Sequence, residues 1–196
     1  MGNTIGIVAP QLQTKELTNS LVCIDSNCLT YLVDAMALGG RPTGNEAEEK
    51  IALLRIYFYR NDTLYVSPTV KAEYEKMTNK VKRQNHRGIA DILLGDIQSL
   101  DPHVLESQAL EYAKYHNGER NKIDCRILAE TELGGGNILL TYDKDFLRRL
   151  RNRTHSIRML MPSEFWSGLS YTKGIKPVTS PHPTSPLAAE AWWAWQ

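Results

Sequence analysis

What the sequence lacks narrows the class of protein. It contains three cysteines, an odd number, with no Cys-x-x-Cys pair and no histidine at zinc-binding spacing, so neither a disulfide framework nor a structural zinc site is expected. No apolar run approaches the roughly 20 residues that span a bilayer, and the first twenty residues contain no long apolar stretch of the secretory type. We therefore expect a soluble protein of the reducing cytoplasm, with no membrane partner.

The composition favours one domain with additions at both ends. A chain of 196 residues with 42% apolar residues can bury a proper core. We expect an N-terminal extension at residues 1–20, a globular domain at 21–166 and a tail at 167–196. The tail is rich in Pro, Ser and Thr, which is typical of flexible or extended chain, yet it ends in Trp192-Trp-Ala-Trp195. Exposed tryptophans are unusual, so this end either packs on the domain or a neighbour, or is a cloning remnant.

The charged residues are segregated, although the net charge is only +1. Residues 71–87 contain six Lys or Arg, and residues 148–158 contain five Arg and no acid. Residues 88–113 contain five Asp or Glu and no Lys or Arg. Solvated helix faces are the simpler explanation, but the pattern also allows a fold with one basic and one acidic side.

Hydrophobic periodicity and turn residues predict strands that alternate with helices. Strands are predicted at 21–24, 63–66, 137–141 and 157–161, and helices at 28–38, 45–59, 69–77, 84–97, 104–115, 124–133, 142–146 and 162–166. The helices at 84–97 and 104–115 read as a helical hairpin. This alternation predicts an α/β fold, a three-layer α/β/α sandwich with a central parallel sheet of four to five strands.

Four acidic residues are expected at one edge of this sheet. Asp25 directly follows the first strand, and Asp143 lies two residues after the strand that ends at Thr141. Ligands of open parallel sheets bind outside the carboxyl ends of the strands. Glu73 and Asp124 lie in the opening turns of helices that face the same edge. Asp25 alone could simply cap the helix that follows it, but the four together predict a carboxylate cluster.

A carboxylate cluster needs bound cations. Two like charges about 4 Å apart repel by roughly 4 kcal/mol at an effective dielectric constant of 20. Mg²⁺ and Mn²⁺ prefer oxygen ligands, and two such ions would offset four carboxylates. Beside a phosphodiester, one ion can generate a hydroxide nucleophile while the other stabilises the leaving oxygen. The predicted cofactor is therefore Mg²⁺ or Mn²⁺, and no nucleophilic side chain is required.

At these acids the chain resembles the PIN domains, a family of metal-dependent nucleases that includes VapC-type toxins and RNA-processing endonucleases. The resemblance spans about residues 21–166 and implies a PIN-like fold. Its motifs are Val-Cys-Ile-Asp25-Ser-Asn, Ser-Pro-Thr-Val-Lys-Ala-Glu73, Lys-Ile-Asp124-Cys-Arg-Ile-Leu-Ala and Leu-Leu-Thr-Tyr-Asp143-Lys-Asp-Phe. The resemblance implies catalytic roles for all four acids, with Asp25, Asp124 and Asp143 as metal ligands and Glu73 as a ligand or water-orienting group. Supporting contacts are expected from Asn27, Thr141 and Asp145.

The implied function is a metal-dependent endoribonuclease that hydrolyses RNA phosphodiester bonds, as a toxin or as an RNA-processing enzyme. RNA is the expected partner, and an antitoxin or other protein partner and a homodimer are compatible with the resemblance. Basic side chains would hold the RNA backbone. The candidates are Lys76, Lys80, Lys82, Arg83, Arg87, Arg148, Arg149, Arg151 and Arg153.

Several alternatives remain at this stage. Asp145 competes with Asp143, and Glu75 competes with Glu73, although two positions along a helix place Glu75 about 200° away. The five histidines show no shared metal spacing, so each is taken as a surface residue. The alternative to a ribonuclease is a PIN-like nucleic-acid-binding or scaffold module without significant cleavage. A haloacid-dehalogenase-type phosphatase is disfavoured because Asn27 stands where that chemistry wants a second acid.

Overall fold

Five short strands form one parallel sheet in the computed structural model, which describes residues 20–60, 63–93, 95–97, 100–116 and 121–196. The strands are β1 (Val22–Ile24), β2 (Leu64–Val66), β3 (Gly95–Asp96), β4 (Ile138–Leu140) and β5 (Arg158–Leu160), in the spatial order β3-β2-β1-β4-β5. Every residue of β1 and β4 is buried, so both faces at the centre of the sheet are covered. The predicted α/β sandwich with a parallel sheet of four to five strands is confirmed.

Eight α-helices occur in the described ranges. They are α1 (Ser26–Leu38), α2 (Ala47–Tyr59), α3 (Pro68–Glu75), α4 (Lys80–Leu93), α5 (Pro102–Ala113), α6 (Asn121–Leu133), α7 (Lys144–Leu150) and α8 (Pro162–Gly168), followed by a 3₁₀ turn at Pro186–Ala189. None of these helices combines the length and apolar character that a bilayer crossing requires. The expected N-terminal extension, apart from Ser20, lies outside the described residues.

The strand β3 takes the place of the end of the helix predicted over 84–97. Helix α4 ends at Leu93, and Gly95 and Asp96 pair with β2 instead. A β-carbon on Gly95 would lie 2.5 Å from Cε1 of Tyr65, so the side-chain-free backbone is what allows this close approach. Periodicity alone could not show this, because a strand of only two residues, Gly95 and Asp96, is too short to show an alternating pattern.

The predicted helical hairpin is wrong in its packing. Helix α5 packs against α6, whereas α4 packs against α1 and α3. His86 on α4 is fully buried, with Nε2 3.2 Å from the hydroxyl of Thr30 on α1 and Nδ1 2.8 Å from the carbonyl of Lys82. Burial lowers the pKa of His86. The expectation that this histidine is a surface residue is therefore wrong, because its ring nitrogens are hydrogen-bonded inside the fold.

The C-terminal tail packs on the domain. The ring of Trp193 is buried, with its centroid 4.7 Å from that of Phe58 on α2. The guanidinium group of Arg55 donates hydrogen bonds to the carbonyls of Trp193 (3.0 Å) and Ala194 (3.2 Å). The N–H of Trp195 donates to the hydroxyl of Tyr59 at 2.8 Å. Of the alternatives that the sequence left open for the tryptophans, packing on the domain is the one observed.

Candidate active site

Asp25 lies at the carboxyl edge of the sheet, directly after β1. Its N–H donates to the carbonyl of Leu140 at 3.2 Å, so the pairing between β1 and β4 continues into this residue. The buried carboxylate accepts a hydrogen bond from the N–H of Cys28 at 2.7 Å and another from the side chain of Thr141. Asp25 therefore does cap α1. Burial raises the pKa of Asp25 above its ordinary value, and these hydrogen bonds oppose part of that rise.

Asp143 reaches the same edge from the neighbouring strand β4. Its N–H donates to the hydroxyl oxygen of Thr141 at 3.0 Å. Its Oδ1 caps α7 by accepting from the N–H groups of Asp145 (2.9 Å) and Phe146 (3.0 Å). Thr141 is fully buried and contacts both strand-end residues. Its hydroxyl binds the carboxylate of Asp25, and its hydroxyl oxygen accepts a hydrogen bond from the backbone N–H of Asp143. This single residue sets the spacing of the two acids.

Glu73 and Asp124 approach these two acids from helices α3 and α6. Glu73 accepts a hydrogen bond from the hydroxyl of Ser26, the first residue of α1 and the neighbour of Asp25. Asp124 lies in the first turn of α6. Burial raises the pKa of Asp124 to about 7, and the negative charges of Asp25, Asp143 and Glu73 add to that rise. Asp25, Asp143 and Glu73 thus each lie within electrostatic reach of Asp124.

The donor chemistry of this cluster fits a hard divalent cation. In the ranges that the structure describes, no three acidic, histidine or cysteine side chains are grouped closely enough to hold a metal ion as they stand. The hydrogen bonds give the reason, because Oδ1 of Asp143 turns to the start of α7 and Oε2 of Glu73 turns to Ser26. Four oxygen-bearing anions near one another match the ligand preference of Mg²⁺ or Mn²⁺.

The structure separates the rival acids from the cluster. Asp145 forms ion pairs with Arg148 and Arg149, whose side chains lower its pKa. Glu75 pairs with Arg87, which lowers its pKa in the same way. Asp145 and Glu75 are thus paired with arginines, whereas Asp143 and Glu73 act on Asp124. The geometry therefore favours Asp143 and Glu73 over the acids next to them.

The expected supporting residues have different surroundings. Thr141 lies between two acids, as described. Asn27 is exposed, and its backbone carbonyl accepts a hydrogen bond from the hydroxyl of Tyr142 at 2.7 Å. Asp145 contacts the site only through its N–H, which donates to Asp143. Among the three, Thr141 is the one whose side chain touches the cluster.

Two residues of the site escaped sequence reasoning. Ser26 binds Glu73, and its position next to Asp25 is the signal that could have indicated it. His116 is buried, with Nε2 3.6 Å from Oδ2 of Asp124 and its ring centroid 5.3 Å from that of Phe146. Burial lowers the pKa of His116. Its assignment as a surface residue is wrong, because its ring packs against Phe146 and its carbonyl accepts from the thiol of Cys125 on α6.

Most of the basic residues expected to bind RNA are engaged within the chain. Lys76 and Lys80 are exposed at the end of α3 and the start of α4. The others have partners: Lys82 with Asp34, Arg83 with the carbonyls of Glu75 and Met77, Arg87 with Glu75, Arg148 and Arg149 with Asp145, Arg151 with Glu164, and Arg153 over the ring of Tyr115. Exposed ion pairs are weak, so a phosphate can exchange with these partners.

A basic concavity of about 210 Å³ opens beside α7. It is lined by Lys144, Leu147, Arg148, Arg151, Asn152 and Met161. Lys144 directly follows Asp143, and Met161 directly follows β5, the strand that pairs with β4. The concavity therefore lies at the same carboxyl edge as the acids. Lys144 is exposed, forms no ion pair with the residues the structure describes, and was missed as a candidate.

Comparison with known proteins agrees with this geometry. The family model of the PIN domain matches residues 22–151, about two thirds of the 196-residue chain. The chain belongs to the PIN domain family. PIN domains are generally nucleases and typically use divalent metal ions. The comparison with curated proteins gives no match.

Proposed function

We propose that this protein is an Mg²⁺- or Mn²⁺-dependent endoribonuclease that hydrolyses RNA phosphodiester bonds. The observation that carries the proposal is that Asp25 and Asp143 follow the paired strands β1 and β4 and share contacts with Thr141. Glu73 binds the Ser26 hydroxyl beside Asp25, and Asp124 lies within electrostatic reach of the other three acids. Carboxylates placed together in this way repel one another. Divalent ions remove that cost and are suited to phosphodiester hydrolysis.

Each residue of the cluster has a proposed task. Asp25, Asp124 and Asp143 would hold the metal ions, and Glu73 would either complete the ligand set or orient the attacking water. Bound divalent ions supply an activated water and compensate negative charge on the phosphate. Thr141 keeps Asp25 and Asp143 in register, and the Ser26 hydroxyl holds one oxygen of Glu73. The side chains thus provide ligands and orientation rather than a nucleophile.

RNA would run along the carboxyl edge of the sheet. The basic concavity that contains Lys144, Arg148 and Arg151 adjoins the acids and suits a phosphate of the strand. Arg149 and Arg153 on the outer side of this region would extend the contact. Action in the cytoplasm, as a toxin or in RNA processing, is compatible with this chemistry.

One observation favours a second candidate, a PIN-like module that binds nucleic acid or protein without cleaving. The acids are not grouped as a ready metal site within the described residues. In this second candidate they serve as helix caps, a task that Asp25 and Asp143 do perform. Metal-dependent cleavage separates the two candidates.

The experiment incubates the purified chain with single-stranded RNA in Mg²⁺, Mn²⁺ or EDTA. Wild-type protein should cleave with either ion and stop in EDTA, and Asp124→Asn should abolish cleavage while it leaves the fold intact. Asp91→Asn, the same chemical change at an exposed site, is the matched control and should retain activity. Cleavage by folded Asp124→Asn at the wild-type rate would overturn the proposal, and RNA binding without cleavage would favour the second candidate.

A further inference from the structure

His116 is a buried polar side chain that the proposed mechanism does not yet use. Its exposed fraction is 2%, and neither Nδ1 nor Nε2 has a hydrogen-bond partner among the described residues. A buried polar group without a partner lowers stability. A phenylalanine would fill similar space without that cost. The imidazole is therefore poorly explained by packing alone.

The fold holds His116 between two helices of the site. Its backbone carbonyl accepts a hydrogen bond from the thiol of Cys125, the residue next to Asp124, at 3.7 Å. Its ring lies against Phe146 on α7, with 5.3 Å between centroids and 35° between planes. Phe146 in turn donates its N–H to Asp143. The ring is thus fixed against both the helix that carries Asp124 and the helix that Asp143 caps.

The ring nitrogen Nε2 faces Asp124 and lies 3.6 Å from its Oδ2. This separation is longer than a hydrogen bond, so the bond forms only when the Asp124 side chain turns toward the fixed ring. Oδ2 belongs to the acid on which the other three carboxylates converge. A donor at this position fixes which way the Asp124 carboxylate turns.

We propose that His116 is a positioning residue, which donates a hydrogen bond from Nε2–H to Asp124 and holds this carboxylate toward the metal site. The inference rests on the proposed metal-dependent function. Partners of ligating carboxylates orient them, and loss of such a partner typically weakens metal affinity or activity by roughly 10- to 100-fold. His116 itself touches neither metal nor substrate in this proposal.

A positioning role and a packing role make different demands on the side chain. Packing against Phe146 requires a ring, which His116→Phe retains. Positioning requires an N–H where Nε2 lies, and the side-chain amide nitrogen of glutamine reaches that place. The amide nitrogen of asparagine reaches the place of Nδ1 instead. His116→Phe, His116→Gln and His116→Asn therefore form a matched set.

The experiment measures the melting temperature of each full-length variant as Mn²⁺ is titrated in, together with kcat and KM for RNA cleavage. In EDTA, His116→Phe should melt at or above the wild-type temperature, because it removes an unpartnered polar group. Its dissociation constant for Mn²⁺ should rise by about tenfold or more, and kcat should fall while KM for RNA changes little. His116→Gln should stay within about threefold of wild type, and His116→Asn should resemble His116→Phe.

Three outcomes would overturn the inference. His116→Phe with wild-type Mn²⁺ affinity and kcat would show that the ring only packs. A folded His116→Gln that is as defective as His116→Phe would exclude a hydrogen-bond donor at Nε2. If His116→Phe does not fold, the same test is made by comparing the Mn²⁺ affinities of His116→Gln and His116→Asn, and equal affinities would exclude the donor. A wild-type protein without any Mn²⁺ response would overturn the proposed function and this inference with it, so the two failures are distinguishable.

Discussion

Glu130 on α6 accepts two hydrogen bonds from Thr69 in the first turn of α3, one from the N–H at 2.9 Å and one from the hydroxyl at 2.7 Å. Glu130 is buried, so water cannot replace these bonds. Helix α6 carries Asp124 and α3 carries Glu73. The pair Glu130–Thr69 therefore ties together the helices that bring two of the four acids to the site.

We expect Glu130→Gln to lower the free energy of unfolding by about 1–3 kcal/mol, because an amide NH₂ would face the donors of Thr69. Metal affinity should fall as well, since one of the hydrogen bonds that hold α3 on α6 is lost. Urea denaturation measures the first effect. The control is Glu106→Gln, an exposed residue 3.5 Å from Arg126, which should change stability by less than about 0.5 kcal/mol. If the two changes lower the free energy of unfolding equally, the buried hydrogen bonds between Glu130 and Thr69 do not have the stabilising role inferred here.

The stability of the metal-free protein should depend on pH through Asp124. Its pKa is raised from 3.8 to about 7 in the folded state, so the folded chain holds a proton that the unfolded chain has released. The contribution of Asp124 to the free energy of unfolding in EDTA should therefore fall as pH rises from about 4 to about 7. Because the side chain is 34% exposed, we expect on the order of 1–2 kcal/mol rather than the full shift.

Asp124→Asn should remove most of this pH dependence, while the exposed Asp91→Asn should not. Chemical denaturation in EDTA at several pH values measures the slope. Mn²⁺ should abolish the loss of stability in wild type, because metal binding favours the deprotonated carboxylate. If the stability of wild type and of Asp124→Asn changes equally between pH 4 and pH 7 in EDTA, Asp124 is not strained by its neighbours.

Asp143 and Asp145 should differ sharply in their response to metal. Asp143→Asn keeps an oxygen for the cap of α7 but removes a negative charge near Asp124. It should therefore raise the melting temperature in EDTA, because repulsion between carboxylates is reduced, and weaken the response to Mn²⁺, because one charged ligand is lost. In wild type, Mn²⁺ at 100 times its dissociation constant should stabilise by about 2.7 kcal/mol. Asp145→Asn should leave this response unchanged. If only the Asp145 change weakens the response, the fourth acid is Asp145.

Lys144 should contact a phosphate of bound RNA. In the cleavage-deficient Asp124→Asn background, Lys144→Ala should weaken binding to single-stranded RNA roughly three- to tenfold. It should also reduce the slope of log affinity against log salt concentration by about 0.7, the value for one phosphate contact. Lys176→Ala, an exposed tail lysine, is the matched control. If neither Lys144→Ala nor Lys176→Ala changes the slope of log affinity against log salt concentration, the RNA does not contact Lys144.

The parts of the site that lie within short segments could be predicted from the sequence. Asp25 and Asp143 follow apolar runs and precede capped helices, and parallel pairing of the two strands brings them together. Ser67 followed by Pro68 marks the start of the helix that carries Glu73. Such signals need only local backbone preferences and the rule for sheet edges.

The contacts between distant segments could not be predicted in this way. Glu130 and Thr69 are 61 positions apart, and nothing in either segment specifies the other. The burial of His116 depends on its contacts with α6 and α7, and the burial of His86 depends on α4 packing against α1. Each of these pairings is decided by which helix faces pack together, which periodicity indicates only in part.

Completion of the core depends on residues that follow α8 in the sequence. Arg55 binds the carbonyl of Trp193 across 138 positions of sequence, and Phe58 on the same helix packs its ring on that tryptophan. A nascent chain that has emerged as far as α8 therefore still exposes the aromatic surface of α2 to water. Contacts of such long range are entropically costly to form and slow folding. Until the tail has emerged, the incomplete domain presents a surface on which chaperones can act.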